Sequence, residues 1–179
     1  MSGQDWVALL RGVNVGGTNM VPMADLRKLA EGLGWQDVRS YIVSGNLVFR
    51  AEGEAAALAE TLRQAMAAQM GVDVPILVLT GAAIHDALAA CPFRPEKGAH
   101  VHVFFLWSRP TLDTALRDTL IAPTETLAVE ETRAWLHAPE GIGRSKLAAK
   151  LHKVIGGTLM TARNLTTLEA LARMLTSEV

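Results

Sequence analysis

The hydrophobic pattern of this chain switches repeatedly between the apolar runs of strands and the three-to-four spacing of helices. Trp6–Gly12 (WVALLRG) is apolar on both alternating faces, which predicts an interior strand. The turn-rich VNVGGTN follows. Pro22 then opens a helix with Met23, Leu26, Leu29, Ala30 and Leu33 at helical spacing, stopped by Gly34. Val38–Val43 and Leu47–Ala51 flank Ser44-Gly45-Asn46 and read as a hairpin. Residues 54–70 form an Ala-rich helix with Leu58, Leu62, Ala65 and Met66 on one side, closed by Gly71. Val74–Thr80 reads as a strand, and Pro75 near its start favours an edge position.

The order to this point is β-α-β-β-α-β, that of a ferredoxin-like unit. After a helix over Ala82–Ala90 the order returns. His100–Trp107 is a strand, Leu112–Leu120 a helix, and Glu125–Glu130 with Arg133–Ala138 a hairpin. Arg144–Val154 is a helix, Thr158–Ala162 a short strand and Thr166–Leu175 a closing helix, with Thr166 and Glu169 at capping-box spacing. The expected class is α/β (α+β): two ferredoxin-like units, 1–80 and 81–179. No Ser/Gly/Pro-rich linker separates them, so they are expected to pack together.

Composition bounds the function. Of 179 residues half are hydrophobic and a fifth are charged, enough apolar material for a core and too much for a disordered chain. A single cysteine excludes a disulfide scaffold and a four-cysteine zinc site. No apolar run approaches a membrane span, and MSGQDWVALLRG lacks the regions of a signal peptide, so a cytoplasmic location is expected. The net charge of −1 is unevenly spread. Residues 1–80 hold six Lys/Arg against eight Asp/Glu, 81–140 hold five against eight, and 141–179 hold six against two. From Gly141 to Leu168 there are five cations (Arg144, Lys146, Lys150, Lys153, Arg163) and no acid, so any anion site is local.

Topology gathers the polar motifs. In a β-α-β-β-α-β unit the first two strands run parallel, so the end of the first and the hairpin after the second share one end of the sheet. This brings Arg11, Asn14, Gly16, Gly17 and Asn19 beside Ser44 and Asn46. In the second unit, Gly143, Arg144, Ser145 and Lys146 fall beside Arg163 and Asn164. These thirteen residues are the ligand-binding candidates. The N-terminal loop leads into a helix start, where free N–H groups favour anions. It matches neither the dinucleotide fingerprint nor a Walker loop, and its glycines also suit a plain strand-to-helix turn. Gly141-Ile142-Gly143-Arg144-Ser145-Lys146 offers a hydroxyl and two cations near a helix start, suited to phosphate or carboxylate. Lys146, Lys150 and Lys153 extend it as a stripe beside Leu147, Leu151 and Val154; a lysine stripe is also the ordinary dress of a solvated face. His100 and His102 share a strand face but lack further metal ligands, so no metal site is expected. The cofactor is unassigned and no catalytic residue is identified.

Four segments, VALLRGVNVGGTNMVPMADLR, YIVSGNLVF, GIGRSKL and TARNLTTLEAL, resemble in order the bacterial domain-of-unknown-function family 1697 (DUF1697). The resemblance implies a cytoplasmic bacterial protein of two related α/β units, without an assigned activity. Many members have lysine in the loop where Thr18 and Met20 stand here, and Trp-Asn where this chain has Leu165-Thr166. The leading expectation is a module binding a phosphate-bearing small molecule or a nucleic-acid backbone. One competitor is an enzyme on a nucleotide-like or phosphorylated substrate, for which the motif segments offer no evident base. Another is a protein-interaction or self-associating domain using the Val74–Thr80 edge or an exposed Leu stripe.

Overall fold

A computed structural model describes residues 3–176. The fold is mixed α/β, with antiparallel sheets and seven α-helices among the described residues. The chain forms two compact units, Met1–Leu88 with Glu169–Val179, and Ala89–Leu168. The end of the last helix thus belongs with the first unit, a discontinuity that sequence order does not reveal.

The first unit runs β1 (Gln4–Leu10), α1 (Met23–Gly32), β2 (Gln36–Ser40), β3 (Asn46–Ala51), α2 (Ala55–Met70), β4 (Ile76–Thr80) and most of α3 (Gly81–Ala90). Its sheet order is β2-β3-β1-β4, antiparallel throughout, with Val7 opposite Val48 on one side and Leu79 on the other. β4 lies outermost, as Pro75 suggests. Strand alternation puts Trp6, Ala8 and Leu10 with Leu47 and Phe49 on one face. Leu26, Leu29 and Ala30 of α1 and Leu58, Leu62 and Met66 of α2 close over it. Trp35 stacks on Phe49 with ring centroids 4.0 Å apart. On the opposite face Val7 and Leu9 are also fully buried, which explains the continuous apolar run of β1.

The second unit contains β5 (Val101–Leu106), β6 (Thr111–Leu112), α4 (Thr114–Leu120), β7 (Thr126–Val129) and β8 (Arg133–His137). It continues with α5 (Lys146–Ala149), α6 (Leu151–Val154), β9 (Ile155–Gly156), β10 (Met160–Asn164) and the start of α7 (Leu165–Thr176). Its main sheet is ordered β10-β5-β8-β7, and β6 pairs with β9 separately. Counting the main strands of each unit from its start, both four-stranded sheets read second-third-first-fourth. Phe104, Leu106, Ala134 and Leu136 form a core with Leu147, Leu151 and Val154.

Three local expectations are revised. The strand expected over Val38–Val43 ends at Ser40, because Ile42 takes a left-handed backbone (φ 49°) and the connection to β3 becomes a longer loop. The single helix expected over Arg144–Val154 is a 3₁₀ turn, Ile142–Arg144, followed by two four-residue helices broken at Lys150. The break leaves Leu147, Leu151 and Val154 all buried. The last helix is capped not by Thr166 but by Asn164, whose Oδ1 accepts from the Thr167 N–H at 2.8 Å.

Candidate functional site

The glycine loop after β1 is a small hairpin rather than an open cradle. The Thr18 N–H donates to the Val15 carbonyl (3.1 Å) and the Asn14 N–H to the Asn19 carbonyl (3.1 Å). Gly16 and Gly17, at φ 60° and 75°, occupy the two central positions of this tight turn. Asn14 itself adopts φ 54° and acts as a clasp. Its Nδ2 donates to the carbonyls of Val21 (2.9 Å) and Val43 (2.6 Å), and its Oδ1 accepts from the Val21 N–H (2.7 Å). The Asn19 amide donates to the Gly12 carbonyl at 3.2 Å.

This loop adjoins the Ser44-Gly45-Asn46 turn that topology sets beside it. The Leu10 N–H donates to the Gly45 carbonyl at 2.9 Å. Gly45 (φ 83°) fits there because it has no side chain: a Cβ would stand 2.6 Å from Val13 Cγ2 and 2.8 Å from Leu10 Cβ. Asn46 is fully buried, and its amide donates to the Tyr41 carbonyl and to Ser44 Oγ, both at 3.0 Å. Four candidates (Asn14, Asn19, Ser44 and Asn46) therefore have side-chain polar atoms engaged within the loop pair, while Arg11, Gly16 and Gly17 are exposed. Val15, Met20, Ile42 and Val43 are also exposed, though strand periodicity assigns Ile42 and Val43 to a strand.

In the second unit, β8 ends at His137 opposite Val101 and β10 ends at Asn164 opposite His102, so both strands finish at the start of β5. Gly141–Lys146 and Arg163–Asn164 accordingly share one end of the sheet. Their side chains divide into two groups. Ser145 is buried and its Oγ accepts from the Ala148 N–H at 3.0 Å, capping α5. Arg163 is buried on the β10 face opposite Ala162. Its Nη1 donates to Thr161 Oγ1 (2.9 Å) and the Ala162 carbonyl (2.7 Å), and burial draws its guanidinium down to about 10, still cationic at neutral pH. By contrast Gly143, Arg144, Lys146, Lys150, His152 and Lys153 are exposed. None of Arg144, Lys146, Lys150 and Lys153 makes an ion pair with a described residue.

A family model described as "Protein of unknown function (DUF1697)" matches residues 4–135, well over half the chain. The chain belongs to the DUF1697 family. No curated protein matches it. Among solved structures, this DUF1697 chain is similar to a conserved bacterial protein from Streptococcus pneumoniae, at 26% identity and a TM-score of 0.75, over 98% of this chain and 100% of that one. The family match stops before GIGRSKL and TARNL. The structural likeness extends over nearly the whole length.

Elsewhere in this DUF1697 protein, no group of three or more His, Cys, Asp or Glu among the described residues is arranged to hold a metal. No helix among them is long and apolar enough to cross a membrane. His102 is half-buried on the helix side of β5 with its Nδ1 unpartnered; burial, and secondarily the nearby His100, lower it from 6.5 to about 4. The imidazole is thus neutral at physiological pH, which suits a packed side chain rather than an anion ligand. His152, which no sequence motif marks, lies exposed between Lys150 and Lys153. The exposure of Val15 and Val43 depends on tertiary loop geometry rather than a local pattern.

Proposed function

We propose that this DUF1697 protein binds a phosphate-bearing ligand, a phosphorylated small molecule or a nucleic-acid backbone, along the ridge of Arg144, Lys146, Lys150 and Lys153. One observation carries the reading: these four cations are exposed and without ion-pair partners in a stretch, Gly141–Leu168, that contains no acid. Exposed cations gain little from isolated surface pairs and most from a multiply charged ligand that displaces counterions. Gly143 adds an exposed main-chain position at the head of the ridge. Ser145 and Asn164 are spent as helix caps and Arg163 is a buried cation, so none of the three is assigned to the ligand. The loop pair of the first unit has no part in this reading, because Asn14, Asn19 and Asn46 already spend their amides on carbonyls.

The architecture beneath is read as two ferredoxin-like units of one plan, residues 1–80 and 81–179. Support comes from the shared second-third-first-fourth strand order and from antiparallel pairing throughout both sheets. A cytoplasmic location belongs to the same proposal, supported by a lone, buried cysteine, Cys91.

The test replaces Arg144 and Lys146 together with Ala in the full chain and follows binding of a labelled oligonucleotide across a salt series, with pyrophosphate as competitor. Wild-type binding should weaken with salt, and the double variant should bind more weakly, with a log–log slope smaller by about two. Wild-type protein that binds neither probe, or a variant with unchanged affinity and slope, overturns the proposal.

A further inference from the structure

From a second and independent site we infer that the first unit binds a free apolar α-amino acid in a cleft between the start of α1 and the end of α2. The cleft is open to solvent, has a volume of about 460 Å³, and counts the apolar Met20, Leu29 and Met70 and the polar Asp25, Lys28 and Gln69 among its lining residues. That volume is enough for a small ligand held at an open surface cleft. Leu29 is buried, whereas Met20 is 63% exposed, an unusual position for a large thioether. Met20 is not on a loose tip: Asn19 before it is tied to the Gly12 carbonyl, and Val21 after it is held on both backbone groups by Asn14. A methionine on a backbone held this way offers a soft, adaptable wall for an unbranched or γ-branched apolar side chain.

Charge decides the class of ligand. Asp25 and Lys28 stand three residues apart on α1, the spacing that places both on one helix face. Neither makes an ion pair with any described residue. The lining therefore offers one carboxylate and one ammonium, both solvent-exposed and on one face of α1. A phosphate would meet the repulsion of Asp25, and a neutral apolar molecule would leave both ions unused. A molecule with an ammonium and a carboxylate on one carbon pairs its ammonium with Asp25 and its carboxylate with Lys28. Its side chain has Met20, Leu29 and Met70 in the same cleft to pack against. Gln69, on the other helix, supplies a neutral amide able to donate or accept.

The experiment titrates the full-length protein with L-leucine by amide chemical shift. Three companions each lack one element: glycine the side chain, 4-methylpentanoate the ammonium, isopentylamine the carboxylate. L-Leucine should give saturable shifts at Met20, Lys28, Gln69 and Met70. Each companion, and each of Asp25→Asn and Lys28→Gln, should raise the Kd about tenfold or more. No saturable shift with millimolar L-leucine, equal binding of the companions, or unchanged affinity in both variants overturns the inference. Because Asp25 and Lys28 take no part in the basic ridge, none of these results bears on oligonucleotide binding.

Discussion

The Asn14 amide joins segments 29 residues apart through its bond to Val43, and a second pair of bonds closes it on Val21. Truncation removes three hydrogen bonds, two of them part-buried and the one to Val43 solvent-exposed, at a cost of about 1–3 kcal/mol. Asn14→Ala should lower stability by that amount in urea denaturation and speed hydrogen exchange at the Val21 amide. Asn14→Asp is the sharper probe. It keeps the acceptor for Val21 but sets a carboxylate oxygen against two carbonyls, so it should destabilise at least as much as Ala. An Asp variant of wild-type stability would show that the donor half of the clasp contributes nothing. The neighbouring Ile42 holds a left-handed backbone, a conformation disfavoured for a β-branched residue, and is exposed as well. Loop geometry, not burial of the Ile42 side chain, keeps it there.

At the scale of elements, what periodicity reads well is whatever a buried face imposes. Trp6, Ala8 and Leu10, Leu26 and Leu29, and Leu58, Leu62 and Met66 each repeat with the period of their element because one core selects them all. Periodicity misleads at Ile42 and Val43, which look like two more strand positions but are exposed in a loop. It also misleads at Lys150, where the helical spacing of Leu147, Leu151 and Val154 survives although the helix breaks between them. Motif reading has the same weakness at Ser145 and Asn164. A hydroxyl or amide beside cations suggests a ligand contact, yet both satisfy helix N–H groups at 3.0 and 2.8 Å. Ser145→Ala should therefore cost about 1 kcal/mol in stability. Oligonucleotide affinity should stay unchanged, the reverse of the outcome expected for the Arg144/Lys146 double variant. Loss of affinity without loss of stability would move Ser145 from cap to ligand contact.

Across the whole molecule, the two sheets use one strand order with different chemistry at matched positions. Trp6 pairs with the last residue of β4, Thr80, and His102 pairs with the last residue of β10, Asn164; Leu10 and Leu106 pair with the first residues of the same strands. A histidine thus occupies in the second unit the register position that a buried tryptophan fills in the first. This difference makes stability depend on pH. His102 titrates near 4 in the folded protein, chiefly through burial, and near its ordinary 6.5 when unfolded. Between those values the unfolded chain binds a proton that the folded chain refuses. Its contribution is fully present above pH 6.5 and lost as the pH falls toward 4. Allowing for partial solvent screening, the loss amounts to roughly 2 kcal/mol. One denaturation curve sums every ionisable group in the chain and cannot isolate the histidine. A His102→Leu variant keeps those carboxylates and removes the imidazole. Its urea-denaturation stability, measured from pH 7.5 to pH 4.5, should fall less steeply than that of the wild type, with the gap opening as pH drops below about 6.5. Parallel pH profiles for the two proteins would mean that His102 is solvated in solution and that the second core tolerates its charge.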